Sequence, residues 1–380
     1  MGRAEHDDPF AHAEREETRD PKDVRTVPTR GMDERTPQRR TLARAALTFC
    51  LDGADALMYA LLKGSDDPAA TLDLLIEARG DGRAGNAARA ELDRLFVVGL
   101  AKWGGHADAR GMGVFHRALA GWQTRLDRLP TLEWELLGEW FTVGGEQWII
   151  GPESPHWPRQ LQDLSTRRDW ASPLCLWGLG DPSALTCCAE PVAVVGSRNV
   201  TDYGCAVARD VAMTVASGGH LVVSGGALGA DAAAHWGALA ALDGADPHDA
   251  GRTVAVFAGG LRHIGPSANM PLFDAIRESG GALVSELCPG TVPEARRFLL
   301  RNRIIAALAS TVVVTQARLR SGALNTANWA CDLTRGLVAV PGPITSPHNA
   351  GCNRLIASGK ATILTSPAEI TDLIHASHRT

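Results

Sequence analysis

Lysine is scarce in this chain. It occurs only at Lys22, Lys63, Lys102 and Lys360, so nearly all the basic charge is arginine. With abundant alanine and glycine this points to a compositional bias, and any arginine cluster must be discounted for it before it is read as a site. The eight cysteines (Cys50, Cys175, Cys187, Cys188, Cys205, Cys288, Cys331 and Cys352) form no C-x-x-C pair, which argues against zinc and dithiol redox chemistry. No apolar run approaches the length a bilayer requires. The amino terminus, MGRAEHDDPF, carries charge where a secretory signal needs an apolar core. Scattered free thiols then fit a cytosolic protein, with no membrane partner expected. No G-x-x-x-x-G-K-[ST] occurs, and the run GSRNVTDYG at 196–204 is not G-x-G-x-x-G, so a Walker-type NTPase and a standard dinucleotide site are disfavoured. A net charge of −5 gives no global sign of a nucleic-acid partner. If DNA binds, it binds a local patch.

What is present describes an ordinary globular chain of 380 residues, 45% hydrophobic and 21% charged, long enough for two domains. Residues 1–40 mix charges of both signs with Pro, Thr and Gly and are expected to be a disordered tail. Residues 41–145 carry apolar positions at helical spacing (Leu42, Ala45, Phe49; Leu92, Leu95, Phe96) and read as a smaller helical domain. Eight of the ten tryptophans fall between Trp103 and Trp177. Base stacking is open to them, but packing of the helical domain and its junction is the stronger reading. Residues 146–190 are punctuated by Pro, Trp and Gly, with a short strand-like run at 147–150, and read as a connecting segment packing on the next domain. Residues 191–380 alternate apolar, β-branched strands (192–195, 221–223, 253–257, 282–284, 311–315 and 337–340) with helical stretches. That pattern implies an α/β fold, an extended Rossmann-like, doubly wound, mainly parallel sheet.

In such a sheet ligands bind beyond the carboxyl ends of the strands. Those ends read Gly196-Ser197-Arg198, Ser224-Gly225-Gly226, Gly259-Gly260, Ser285-Glu286, Ser321-Gly322 and Pro341-Gly342-Pro343. Small residues there let backbone N–H groups and helix N-termini approach an anion, and Arg198 adds a fork suited to phosphate. About half of these glycines and serines need do no more than make tight turns. Between Arg296 and Arg335 stand seven arginines against one acid, Asp332. Arg297, Arg301 and Arg303 flank Phe298 and Asn302, which offers phosphate neutralisation, a ring for stacking and an amide for base edges. A solvated arginine face with Phe298 in the core is an equal reading of the same residues.

Several blocks, in order, resemble the DNA-processing protein A (Smf) family: VVGSRNVTDYG, VVSGGALGADAAAH, LVSELCPGTVP, FLLRNRIIAALAS, RSGALNTANWA and AVPGPITSPHNAGCNRLI, preceded by PESPHWPRQLQDL. The likeness spans roughly residues 146–370. It implies a non-catalytic single-stranded-DNA-binding recombination mediator, homodimeric, that protects incoming strands and assists loading of RecA recombinase in transformation, with no cofactor. The resemblance assigns a phosphate to Gly196, Ser197 and Arg198, and a strand-binding pocket to Phe298, Arg301, Asn302 and Arg303; the arginine cluster adds Arg297 to the expected DNA-binding residues. Ser224, Gly225, Gly226, Ser321, Gly322 and Asn353 would shape that pocket. Asp231 and His235 are expected to form a structural hydrogen-bonded pair. Glu286 would cap a turn or accept from arginine.

Three features depart from the family pattern. Gly265-Pro266 stands where Tyr-Pro is usual, and Gln316 stands where many relatives have Glu. On this reading no carboxy-terminal winged-helix-like domain follows the rim. The alternative class is a nucleotide-binding enzyme or sensor resembling the lysine-decarboxylase-like nucleoside-monophosphate hydrolases. Their P-G-G-x-G-T-x-x-E run corresponds here to SGALNTANWA, with Asn325 and Asn328 and no acid until Asp332, which argues against hydrolysis.

Overall fold

The computed structural model describes residues 37–51, 53–166, 170–242 and 250–376. The expected disordered tail therefore lies outside the described residues over 1–36. Its last four positions differ from that expectation, because the first helix, α1, spans Pro37–Phe49. There follow α2 (Ala56–Ser65), α3 (Pro68–Glu77), α4 (Arg83–Lys102), α5 (Ala109–Leu126) and α6 (Trp134–Thr142). Their starts are chemically marked. Asp55 accepts from Leu57 N and Met58 N, Asp67 precedes Pro68 and accepts from Ala69 N, and Asp108 accepts from Gly111 N. Such caps satisfy orphan amides of the first turn. Helices α2 and α4 cross at glycine. A Cβ on Gly99 would lie 1.7 Å from Ala60 O, and one on Gly64 would lie 1.9 Å from Leu95 O.

Four of the tryptophans between Trp103 and Trp177 pack with their N–H groups engaged. Trp103 donates to Ser165 O, Trp122 to Asp55, Trp148 to Gly180 O and Trp177 to Phe141 O, each at 2.7–3.2 Å. An indole buried with its N–H satisfied contributes area without an orphan donor.

The remaining chain runs β1 (Trp148–Ile150), β2 (Leu176–Gly180), β3 (Val192–Gly196), α7 (Asp202–Ser217), β4 (Val222–Gly225), α8 (Ala230–Ala240), β5 (Thr253–Val256), α9 (Met270–Glu278) and β6 (Ala282–Ser285). It continues with α10 (Ala295–Leu308), β7 (Thr311–Gln316), α11 (Gly322–Asp332), β8 (Gly336–Ala339), α12 (Ala350–Ala357), β9 (Thr362–Ile363) and α13 (Ile370–Ala376). The strands form one sheet in the order β1-β2-β6-β5-β4-β3-β7-β8-β9. From β6 to β9 neighbours are parallel, while β1 and β2 add antiparallel, with Trp177 opposite Ser285. The fold is therefore a mainly parallel doubly wound α/β sheet preceded by a helical region. The 146–190 segment differs from expectation in that it supplies two strands of the sheet.

Successive residues of β3 face opposite ways, as a pleat requires. Val192 and Val194 pack with Ala208, Val211 and Ala234 of α7 and α8, while Ala193 and Val195 pack with Ile304, Ile305 and Ala327 of α10 and α11. The helical region is not separately cored. Its Leu47, Phe96 and Phe141 belong to one apolar cluster with Trp177, Phe257 and Phe273 of the sheet domain.

Candidate nucleic-acid interface

The order of winding reverses at β3. From it the chain progresses outward through β4, β5 and β6 on one side, then resumes at β7 on the other. The carboxyl ends of β3 and β7 therefore diverge, leaving the crevice where open α/β sheets take ligands. The divergence is sharpened by a register shift between Val195 and Gly196, after which Gly196 pairs with Gln316. The cleft there has a volume of about 600 Å³. A second lobe of about 480 Å³ adjoins it and shares Arg198, Phe298 and Arg301 with it.

Four chain segments build the cleft, one of them the β4–α8 turn with Ala227 and Asp231. From β3 come Gly196, Ser197 and Arg198; from α10 come Phe298, Arg301 and Asn302; from the start of α11 come Ser321 and Gly322. Phe298, Arg301 and Asn302 stand at i, i+3 and i+4, so one face of α10 presents all three. The Arg198 guanidinium stacks on Phe298, 4.6 Å from the ring centroid, which joins the β3 turn to α10 by a cation–π contact. Asn302 donates to Gly322 O at 3.2 Å and to Asn325 Oδ1 at 3.3 Å. Ser321 caps α11 by accepting from Ala323 N at 3.1 Å, so a helix N-terminus opens on the cleft.

Arg301 is the unusual member. It is only 7% exposed, and its Nε has no hydrogen-bond partner. The charged group beside it is Asp231, which is also buried. Burial pushes the Asp231 carboxyl up, against the pull of Arg301. Burial pulls Arg301 down, against the pull of Asp231, though a guanidinium stays charged throughout. A buried cation whose donors are not all used is costly. Its exposed edge lines both lobes. An oxyanion entering there would meet that accessible edge and balance the buried charge.

Gly225 makes room for this arginine. A Cβ on it would fall 1.9 Å from Arg301 Nη1 and 2.4 Å from Asp231 Oδ2. Gly225→Ala is therefore expected to displace the guanidinium while leaving the sheet intact. Oligonucleotide affinity should fall about as far as on deleting Arg301, with about 1–3 kcal/mol lost in stability. Titration and melting of the same sample check this, and unchanged affinity in the folded variant would contradict it.

Of the other residues singled out in the sequence, Gly226 lines the second lobe. Ser224 lies behind the wall, fully buried and donating to Val194 O at 2.6 Å. Three are elsewhere. Arg303 is completely buried and ion-pairs with Glu286, Arg297 faces the helical region beside Arg125 and Arg128, and Asn353 bridges Gly342 through its N–H and carbonyl. The expected Asp231–His235 pair does not form. His235 contacts Thr253 Oγ1 at 2.7 Å and Gly225 O at 3.0 Å. Burial holds its pKa near 4. Asp231 instead accepts from Ala227 N at 3.4 Å. Arg318, Arg320 and Asn199 line the cleft without having been singled out. The two arginines lay within the basic 296–335 stretch, immediately after β7, and the strand-end rule alone would have found them.

Gln316 explains one departure. Its amide donates to Thr201 Oγ1 at 2.8 Å and Asn349 Oδ1 at 3.0 Å, and accepts from Thr201 N at 2.9 Å. Thr201 in turn caps α7. A carboxylate could not donate to either oxygen.

A family model described as DNA recombination-mediator protein A matches residues 148–375. The chain belongs to this family. A putative DNA processing protein DprA of Mycobacterium tuberculosis is 45% identical over 232 residues, covering 60% of this chain and 57% of that protein. Protein Smf of Escherichia coli is 40% identical over 224 residues, covering 59% and 56%. The match to the family thus takes in little more than half the length of these relatives. Among solved structures, DNA processing protein A of Streptococcus pneumoniae aligns over 83% of this chain and 96% of its own at a TM-score of 0.59 and 26% identity. The Helicobacter pylori protein, described for its single-stranded DNA binding mode, aligns over 61% and 95% at a TM-score of 0.51 and 26% identity. Both support the recombination-mediator fold. No helix among the described residues is long and apolar enough to cross a membrane.

Proposed function

We propose that the chain is a recombination mediator that binds single-stranded DNA in the β3–β7 cleft without chemical turnover. The observation that carries this reading is Arg301, a buried guanidinium with an unpartnered Nε at a topological switch point, flanked by Arg198, Arg318 and Arg320. Strand phosphates would be held by Arg301, Arg198, the Ser197 backbone and the start of α11. The Phe298 ring offers a face on which a base stacks, an interaction of about 1–3 kcal/mol. Strand protection, RecA recombinase as partner, a homodimer and a cytosolic setting belong to the same reading through the family. The relative from Helicobacter pylori, described for single-stranded DNA binding, supports the choice of ligand.

Nucleotide hydrolysis is the weaker reading. Asp231 is the carboxylate lining the cleft among the described residues, and it faces Arg301 rather than open space. Asn325 is occupied by Asn302. The test is a titration of labelled oligo-dT, with duplex of the same length as competitor. Tight, saturable binding that duplex fails to displace is expected. Equal preference for duplex, or no binding at low salt, would overturn the reading.

A further inference from the structure

Among the arginines that line the cleft, Arg318 alone leans on a histidine. It stands exposed in the β7–α11 connection, and its Nη2 donates to His348 Nε2 at 2.8 Å. The half-buried histidine belongs to the β8–α12 loop. Gly351 ties the two segments together, its N–H donating to Ala317 O at 2.8 Å. A Cβ there would lie 2.8 Å from Arg318 O, so glycine permits this close approach. Arginine only donates, so His348 Nε2 is the unprotonated nitrogen and the ring is neutral in this contact. Its Nδ1 lies 3.4 Å from Ser346 Oγ. Residues 317–323 and 341–349 contain no Asp or Glu. The charged and titratable groups on the elements packed against the loop are Arg318 and Arg320 ahead of α11, Asp202 and Tyr203 on α7, and Cys352 and Arg354 on α12. Tyr203 is committed to Pro341 O, and Cys352 is buried. Among the described residues neither Arg318 nor His348 has an ion pair, and the ring's polar contacts are Arg318 and Ser346.

We propose that Arg318 and His348 form a proton-linked phosphate subsite, in which a strand phosphate binds the Arg318 fork as the imidazole takes up a proton. The inference rests on the cleft holding single-stranded DNA. A neutral His348 occupies one of the Arg318 donors. A protonated ring has no acceptor left. It releases that donor, offers an N–H of its own and stands as a second cation beside the first. Two cations so close repel, and an oxyanion that meets both replaces the repulsion with charge-assisted hydrogen bonds. The strand-bound state therefore holds the proton more firmly than the free state does. Affinity then rises as pH falls through the range in which histidine charges, from about pH 8 to about pH 5. One added charge about 4 Å from a phosphate strengthens binding about 5-fold even at the dielectric of water.

The test compares the full chain with His348→Gln, which keeps a neutral acceptor at every pH, and His348→Lys, which keeps a charge. Oligo-dT affinity is read by fluorescence anisotropy at fixed ionic strength, at about pH 8 and about pH 5.5, on either side of the histidine range. Asp231 and His263 also line the cleft and its second lobe. They are common to all three proteins, so differences between the proteins report on position 348. The gain in affinity on acidification should be about 5-fold larger for the parent than for His348→Gln. At the higher pH, His348→Lys should bind about 5-fold more tightly than the parent. Calorimetry in two buffers of different ionisation enthalpy should register proton uptake by the parent on binding, and less by either variant. Equal gains on acidification in the parent and His348→Gln would overturn the proposal, and would leave the histidine a packing residue. So would a His348→Lys protein that folds and binds no more tightly at the higher pH. If the unsubstituted protein binds oligo-dT at neither pH, the cleft reading itself has failed, and the two failures are distinguishable.

Discussion

Arg301→Ala is expected to weaken oligo-dT binding by roughly 10- to 100-fold, equally for all base sequences. The magnitude follows from the contact it would remove. A hydrogen bond to a charged group contributes about 1.5–3 kcal/mol, and this guanidinium is preorganised, being 93% withdrawn from solvent by α10, Gly225 and Asp231. No side-chain entropy remains to be lost when phosphate arrives, in contrast to an exposed arginine. Arg301→Lys should recover part of the affinity. A lysine restores the charge but not the planar fork. Because the alanine variant leaves Asp231 buried without its neighbouring cation, the carboxyl should take up a proton, and melting should separate that effect from lost affinity. A folded Arg301→Ala protein with unaltered affinity would remove the cleft from the account.

The second large effect is on stability. Arg303 is completely buried, its Nε and Nη1 have no hydrogen-bond partner, and its charge is balanced by Glu286, 8% exposed at the end of β6. Glu286→Ala would strand that guanidinium in the core. Breaking a buried pair by removing one partner costs about 3–5 kcal/mol, which in a domain of this size lowers the melting midpoint by roughly 6–20 °C. Replacing both partners by leucine should recover most of the loss, because two desolvated charges are exchanged for apolar packing. Oligonucleotide affinity of the folded double variant should stay within about twofold of the parent, since neither residue lines the cleft. Denaturant melts and titrations of the two variants check both halves. Weakened binding in the stable double variant would return Arg303 to the strand-binding face.

Much of this was legible in the amino-acid order. The six strands from β3 to β8 were set by short β-branched apolar runs, and their ends fell within two residues of the expected positions because glycine and serine punctuate them. The β2 strand escaped. Its sequence, LWGLG, is glycine-rich, and it is placed by antiparallel pairing with β6, a tertiary contact that local propensity does not encode. Helix α12 has only eight residues, too few for a periodic signal. Within the RNR triplet the resemblance grouped all three residues, yet helix geometry separates them. Relative to Phe298, Arg301 and Asn302 lie about 60° and 40° away around α10, whereas Arg303 lies about 140° away and Arg297 about 100°. A helical wheel would have divided them. The Asp231–His235 expectation had the right spacing for a pair, but His235 is engaged by Thr253 and Gly225 O while Asp231 accepts from Ala227 N. Thr253 lies on the next strand, and spacing within one helix cannot reveal it.

The central claim is that a strand phosphate completes the coordination of Arg301. A structure of the protein bound to a short oligo-dT tests it most directly. The account predicts a phosphate oxygen within about 3.2 Å of the Arg301 guanidinium, a normal hydrogen-bond distance, with the strand running between the β3 turn and the start of α11. A strand bound elsewhere on the protein with this cleft unfilled would contradict it.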